Sequence, residues 1–301
     1  MAAALAAGTL PGLARAQAGS TPVVLLQLPA STRALALGNT FVAAGEDESA
    51  IFYNPAQLAV VKQTAAGLSV QQWFLSSTLA AVAASTPLAG GSVGVGLQVL
   101  DYGSSDRVLG DPSGGGGTPA GTVSAGDYVA SVAYAISIHG LRLGATAKYV
   151  NQRLVDESGG TAAMDIGAAF NVATATFAAS LQNVGGEIAL GPDRRPLPRT
   201  VHVGAAIPVR HLGPVSLLGT VEVSHVRDGK TQPSGGVEVE YQSGGVTFLG
   251  RVGELARPEG AEISPVSFGG GLRTRHLALD YAYEGSAVLG ATHRVGVRWW
   301  R

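Results

Sequence analysis

From about Gln63 to the C-terminus the chain alternates apolar and polar residues with a period of two, and the polar face carries full charges of both signs. Leu277, Leu279, Tyr281 and Tyr283 share one face, while His276, Asp280 and Glu284 share the other. Val237, Val239 and Tyr241 oppose Glu238, Glu240 and Gln242 in the same way. Leu141, Leu143, Ala145, Ala147 and Tyr149 oppose Arg142, Thr146 and Lys148, and Val295, Val297 and Trp299 oppose Arg294 and Arg298. Side chains of a strand point alternately to its two faces, so the pattern demands strands and excludes a helical core. About fourteen such segments can be placed, near 63–73, 77–86, 92–102, 124–137, 141–154, 162–171, 174–184, 199–208, 214–227, 233–243, 246–253, 266–275, 277–285 and 292–300.

A soluble sandwich and a membrane barrel both alternate, and the bulk of the apolar face separates them. A sandwich core about 10 Å thick must be filled by large aliphatics. Here Ala and Gly stand among the Val and Leu, an irregularity that lipid chains accommodate. Charged residues make up 14% of the chain against about 25% in ordinary soluble domains, yet no run of about 20 apolar residues offers a spanning helix. High but dispersed hydrophobicity suits a wall one residue thick, with lipid outside and polar side chains inside. The expectation is an all-β fold, a transmembrane antiparallel β-barrel of about fourteen strands over 63–301 in a bacterial outer membrane, in contact with outer-membrane lipid. Glu222, Glu238, Glu240, Arg251, Arg273, Asp280, Arg294 and Arg298 fall on its lumen-facing positions. A net charge of −1 excludes a nucleic-acid partner, and the absence of cysteine removes disulfides and thiolate metal sites.

Long loops are expected over 103–123, 185–198 and 254–265, with tight turns at His139-Gly140 and Ser243-Gly244-Gly245. The Gly114 to Gly117 run lacks the following Lys and helix of a phosphate loop and reads as a surface loop. Trp73, Phe74, Tyr102, Tyr149, Trp299 and Trp300 sit at expected strand ends, where aromatic belts form. The apolar Ala2 to Ala14 stretch followed by Ala16-Gln17-Ala18 reads as a signal peptide over 1–18 that lacks its basic front. His139, His202, His211, His225, His276 and His293 are scattered singly, so no catalytic set, no metal site and no cofactor is expected, and the chain reads as non-enzymatic.

Between residues 19 and 62 the alternation stops. Asp47 can cap a short helical turn, and Asn54-Pro55 pairs a capping side chain with a proline at the first helical position. The stretch Leu37-Gly38-Asn39, Asp47-Glu48-Ser49-Ala50, and Phe52-Tyr53-Asn54-Pro55-Ala56 with Leu58 resembles the start of the FadL superfamily of outer-membrane barrels, and within it most closely the PorV/PorQ group. The resemblance implies a fourteen-stranded barrel whose N-terminal segment folds into the lumen from the periplasmic side as a plug, or hatch. It also implies a function, an accessory or shuttle in type IX protein secretion, with secreted proteins or other outer-membrane or periplasmic subunits as partners. A FadL-like passive transporter of long-chain fatty acids or other hydrophobic small molecules is the alternative, and a structural barrel subunit of a larger complex is the third. Gly-, Ser- and Pro-rich loops and the charged lumen positions lean away from fatty-acid transport.

Overall fold

In the computed structural model, residues 22–110, 117–227, 229–257 and 261–301 are described; the expected signal peptide and Gly114 to Gly116 lie outside them. Sixteen strands follow in order: β1 (Ala65–Gln72), β2 (Thr78–Leu88), β3 (Gly91–Leu109), β4 (Thr118–Ile138), β5 (Leu141–Leu154), β6 (Glu157–Val172), β7 (Ala175–Gly185), β8 (Glu187–Leu190), β9 (Asp193–Pro196), β10 (Thr200–Leu212), β11 (Val215–Val226), β12 (Thr231–Ser243), β13 (Val246–Leu255), β14 (Ile263–Arg273), β15 (Leu277–Ser286) and β16 (Gly290–Trp300). All except β8 and β9 form one closed barrel of fourteen strands, shut by antiparallel pairing of β1 with β16 that sets Ala65 opposite Trp300. Closure leaves no sheet edge unpaired in lipid, the condition for a β-structure to cross a membrane.

Outward positions carry apolar side chains open to the surroundings, among them Leu68, Val82, Val132, Ile166, Val203, Val237, Phe248, Leu279 and Val295. So continuous an apolar exterior is tolerated in lipid and not in water. His139-Gly140 forms a two-residue turn with both φ angles positive, 51° and 86°, which matches the twist of the flanking strands. This turn, the one at Gly244-Gly245, and the start of β1 all lie at the end of the barrel where β16 stops. Short turns identify that end as periplasmic and the other as extracellular. Two of the expected long loops are more ordered than the sequence suggested. β3 and β4 continue as a paired ribbon out to Leu109 and Thr118, and 185–198 contains the small β8–β9 hairpin. Gly and Ser content marked these stretches as loops, but once two strands are in register their backbone pairing continues without side-chain help.

The segment before β1 contains a five-residue helix, α1 (Thr32–Ala36), and 3-10 turns at Val24–Gln27, Glu48–Phe52 and Pro55–Val60. It bonds to strands all around the ring: Thr32 to Ser69 in β1, Asn54 to the Ala168 carbonyl in β6, Tyr53 to Ser180 in β7, Phe41 to Glu222 in β11 and Leu35 to Ser267 in β14. A segment that reaches strands on every side of a closed ring lies inside it. Residues 30–58 are almost wholly buried and fill the lumen.

Candidate functional site: the occluded lumen

The first turn of the plug depends on glycine. Gly38 has φ +65°, and a Cβ there would lie 2.6 Å from the Glu254 backbone nitrogen of β13. Opposite it, Gly253 leaves room for the Leu37-Gly38 backbone. Asn39, also left-handed at φ 61°, donates its amide to the Ala34 carbonyl and ends α1. Its side-chain Oδ1 is buried with no partner among the described residues.

The second half of the motif is organised by two caps. Asp47 Oδ1 accepts from the Ser49 backbone N–H at 3.0 Å and from the Ser49 hydroxyl at 2.5 Å. Asn54 Oδ1 accepts from the Ala56 N–H at 3.1 Å, while its Nδ2 donates to the Val42 carbonyl at 3.0 Å. Asn54 therefore caps one turn and clamps the turn at Val42 against it. Ala50, Phe52, Pro55, Ala56 and Leu58 are buried, and Ala50, Phe52, Ala56 and Leu58 belong to one apolar cluster with Phe41 and Val42. Tyr53 meets Phe41 edge-on at 4.9 Å, and its hydroxyl accepts the N–H groups of Ala30 and Ser31 at 2.8 and 2.9 Å. Burial pushes this phenol up to about 12, so it stays protonated.

Charges on the wall fasten the plug. Arg33 lies bidentate on Glu238 of β12, at 2.9 and 2.8 Å. Glu238 also accepts from Arg251 of β13, whose Nη1 reaches Asp280 of β15 at 2.5 Å. Arg298 of β16 bonds Glu48 at 2.9 Å and pairs with Asp47 at 3.4 Å. Glu222 of β11 accepts the Phe41 and Val42 N–H groups and pairs with His202 at 2.7 Å. Arg294 donates to the Pro29 carbonyl, and Arg273 pairs with Glu240 at 2.6 Å beside a periplasmic vestibule. That vestibule, about 740 Å³ in volume, is lined by Arg33, Glu46, Lys62, Glu240 and Trp300 as well. Each of these eight charged wall residues is paired with the plug or with another wall side chain. Reading missed Arg33, because its partner lies 205 residues away.

The extracellular half of the lumen differs. Leu79, Leu100, Val129 and Val150 point inward from β2 to β5 and join Ile188 of β8 and Leu197 in a second apolar cluster. Trp73 and Tyr102, expected in an aromatic belt, pack on this cluster instead. Residues 23–28 of the plug, which we call the strap, insert Val23 and Leu25 into it, both 0% exposed. The expected polar interior gives way to apolar side chains over β2 to β5 at the extracellular end, while Gln71, Glu284 and Thr292 keep the β1, β15 and β16 side of that end polar. The signal was present in β5, where Val150 continues the inward series Arg142, Thr146, Lys148 with an apolar residue. Beneath the cluster's rim lies Asp127, 0% exposed, which accepts from Tyr102 Oη at 3.0 Å, Gln152 Nε2 at 2.9 Å and the strap's Leu25 N–H at 3.4 Å. Among the described residues no group of His, Cys, Asp and Glu is arranged to hold a metal.

No known family's sequence profile matches the chain, and neither does any curated protein. Solved structures do. The monoaromatic hydrocarbon channel CymD superposes with a TM-score of 0.61 at 9% identity, covering 93% of this chain and 98% of that one. The toluene transporter TodX of Pseudomonas putida gives 0.59 at 11% identity, over 90% and 96% of the two chains. A FadL homologue of Pseudomonas aeruginosa gives 0.56 at 10% identity, over 90% and 98%. At such identities the likeness is one of fold, and with the lipid-facing wall it sets this chain among bacterial outer-membrane barrels.

Proposed function

We propose that the chain is a passive outer-membrane channel for hydrophobic small molecules. The observation that carries this reading is the inward-facing apolar chamber at the extracellular end, because a barrel serving only as a scaffold has no need to line its outer lumen with Leu, Val, Ile and Trp. Likeness of fold to toluene and hydrocarbon transporters supports it. The test is permeation in proteoliposomes. Entry of heptylbenzene should be faster than into protein-free vesicles, while potassium chloride conductance stays near background because the plug fills the lumen. Equal hydrocarbon entry with and without protein would refute the reading.

A second reading, a PorV/PorQ-like accessory or shuttle in type IX protein secretion, rests on the block from Gly38 to Leu58. Those residues are engaged in packing and capping within the barrel, so the block supports a plug without indicating a protein cargo. Recovery of a secreted protein or a second outer-membrane subunit on purification from native membrane would favour this reading, or that of a structural subunit.

A further inference from the structure

Resting on the hydrophobic-channel reading, the outer chamber's geometry narrows the ligand. We propose that the chamber binds neutral apolar molecules bearing a hydroxyl donor, alkylphenols or fatty alcohols, and that the strap occupies it as the chain's own stand-in ligand. The strap lies where such a ligand would: Leu25 fills the apolar pocket among Leu79, Leu100, Val129 and Val150, and its N–H points at Asp127. Its hold is thin. The Leu25 to Asp127 bond is long at 3.4 Å, and the 3-10 turn Val24–Gln27 has no side-chain cap. Val23 enters that turn at φ 53°, ψ 70°, a left-handed conformation that a β-branched residue adopts only under constraint. Firm anchorage begins at Pro29, with the Arg294 bond to its carbonyl and the Tyr53 hydroxyl bonds to Ala30 and Ser31. The strap can therefore swing out about Pro29 while the rest of the plug stays fastened.

A way in already exists. A cavity of about 390 Å³ at the extracellular end is lined by Pro22, Gln152, Leu154, Ile188 and Leu190 together with the charged Glu157, Asp193 and Arg195. Ile188 and Leu190 also belong to the chamber, and Gln152 is a donor to Asp127. Asp127 then sets the chemistry. Its carboxylate is fully buried, and when the strap leaves it loses one of three donors. A ligand hydroxyl restores that bond, a hydrocarbon leaves it open, and an anionic headgroup meets a buried like charge. Preference should run from alcohol or phenol through hydrocarbon to carboxylate.

The matched probes 4-heptylphenol, heptylbenzene and 4-heptylbenzoate test this order with the full chain in nanodiscs at neutral pH. Binding is read by the fluorescence of Trp73, which packs on the chamber, after Trp299→Phe and Trp300→Phe remove the other two tryptophans. Strap release is read by maleimide labelling of Leu25→Cys, the chain having no cysteine of its own. The phenol should bind roughly 10- to 100-fold more tightly than heptylbenzene, the range for a hydrogen bond to a charged group, and should speed labelling of Cys at position 25. Asp127→Asn should shrink that preference and admit the benzoate. Equal binding of phenol and hydrocarbon, or tightest binding of the benzoate, overturns the ligand class. Phenol binding without faster labelling overturns the strap's role. Failure of all three probes to bind overturns the channel reading along with it.

Discussion

Glu238→Gln should loosen the plug while leaving the barrel wall intact. Glu238 is the acceptor between two guanidiniums, Arg33 from the plug and Arg251 from the wall, with side-chain exposures of 15% for Arg33 and 2% for Glu238. Removing one partner of a buried pair costs about 3–5 kcal/mol, because the remaining charge is left without compensation. Arg33 borders the vestibule and retains Asp47 at 3.8 Å, which places the loss near the lower limit, about 3 kcal/mol. Arg251 still has Asp280, so the wall's own share of the network survives. Hydrogen exchange read by mass spectrometry should show amides of residues 30–40 opening roughly 10²-fold faster, at one decade per ~1.4 kcal/mol. Strand β12 itself should be nearly unchanged, since its exchange is governed by ladder bonds to β11 and β13. A companion variant, Arg33→Met with Glu238→Leu, replaces the pair by apolar groups and should fall closer to the parent than Glu238→Gln does. Unchanged exchange at residues 30–40 in Glu238→Gln, or equal acceleration in β12, would refute the idea that this pair fastens the plug.

Three further outcomes follow from the same geometry. Gly253→Val puts a branched side chain where the Leu37-Gly38 backbone lies, so the plug's first turn should detach and potassium chloride conductance in planar bilayers should rise above that of the parent. Lys148→Met strands Asp165, whose side chain is 0% exposed and paired at 2.6 Å, and should destabilise the wall itself by about 3–5 kcal/mol, seen as earlier heat unfolding on a gel-shift assay. Burial raises the Asp47 carboxyl, but Arg298, Arg33 and the Ser49 donors outweigh it and hold it below its ordinary value. Such a group stabilises above the ordinary Asp pKa of about 3.9 and loses that contribution as pH falls through the lowered folded value. Glu48 is raised, first by burial, and contributes in the opposite sense only above the ordinary Glu value of about 4.3. Loss of the Asp47 contribution below about pH 4 should loosen the plug, and Asp47→Asn should reduce that acid loosening in the same exchange measurement.

The wall was legible because a one-residue-thick structure between two solvents writes its faces into every second residue. All fourteen expected segments coincide with barrel strands, and parity alone put Glu238, Arg251, Asp280 and Arg294 inside. The two turns before β1 were legible for a different reason. Asp47 and Asn54 cap turns within two residues of themselves, an interaction local enough to read from spacing, whereas a place for those turns inside the barrel was only what the resemblance to FadL-type barrels implied. What stayed hidden depends on which strands the closed ring brings together. Arg33 offers no local hint that it will meet Glu238, and Trp73 and Tyr102 looked like belt residues because only the folded strap and the β8–β9 hairpin give them an inner surface to cover.

That division of the lumen has a physical consequence for how the plug can move. At its periplasmic half the plug is tied by bidentate and networked ion pairs, which an apolar molecule cannot replace. At the extracellular end its strap is tied by Val23, Leu25 and one long hydrogen bond, contacts of the same kind that a hydrophobic solute would itself make. A solute arriving from outside therefore competes only with the outer half, since a ligand shifts an equilibrium only as far as its affinities for the two states differ. On the proposed channel reading, the ion-paired contacts stay shut to ions while the apolar contacts of the strap are exchanged for those of the solute. Under that reading, occlusion and uptake are compatible in one barrel because the contacts that close it are of two chemistries, and a solute can replace those of one.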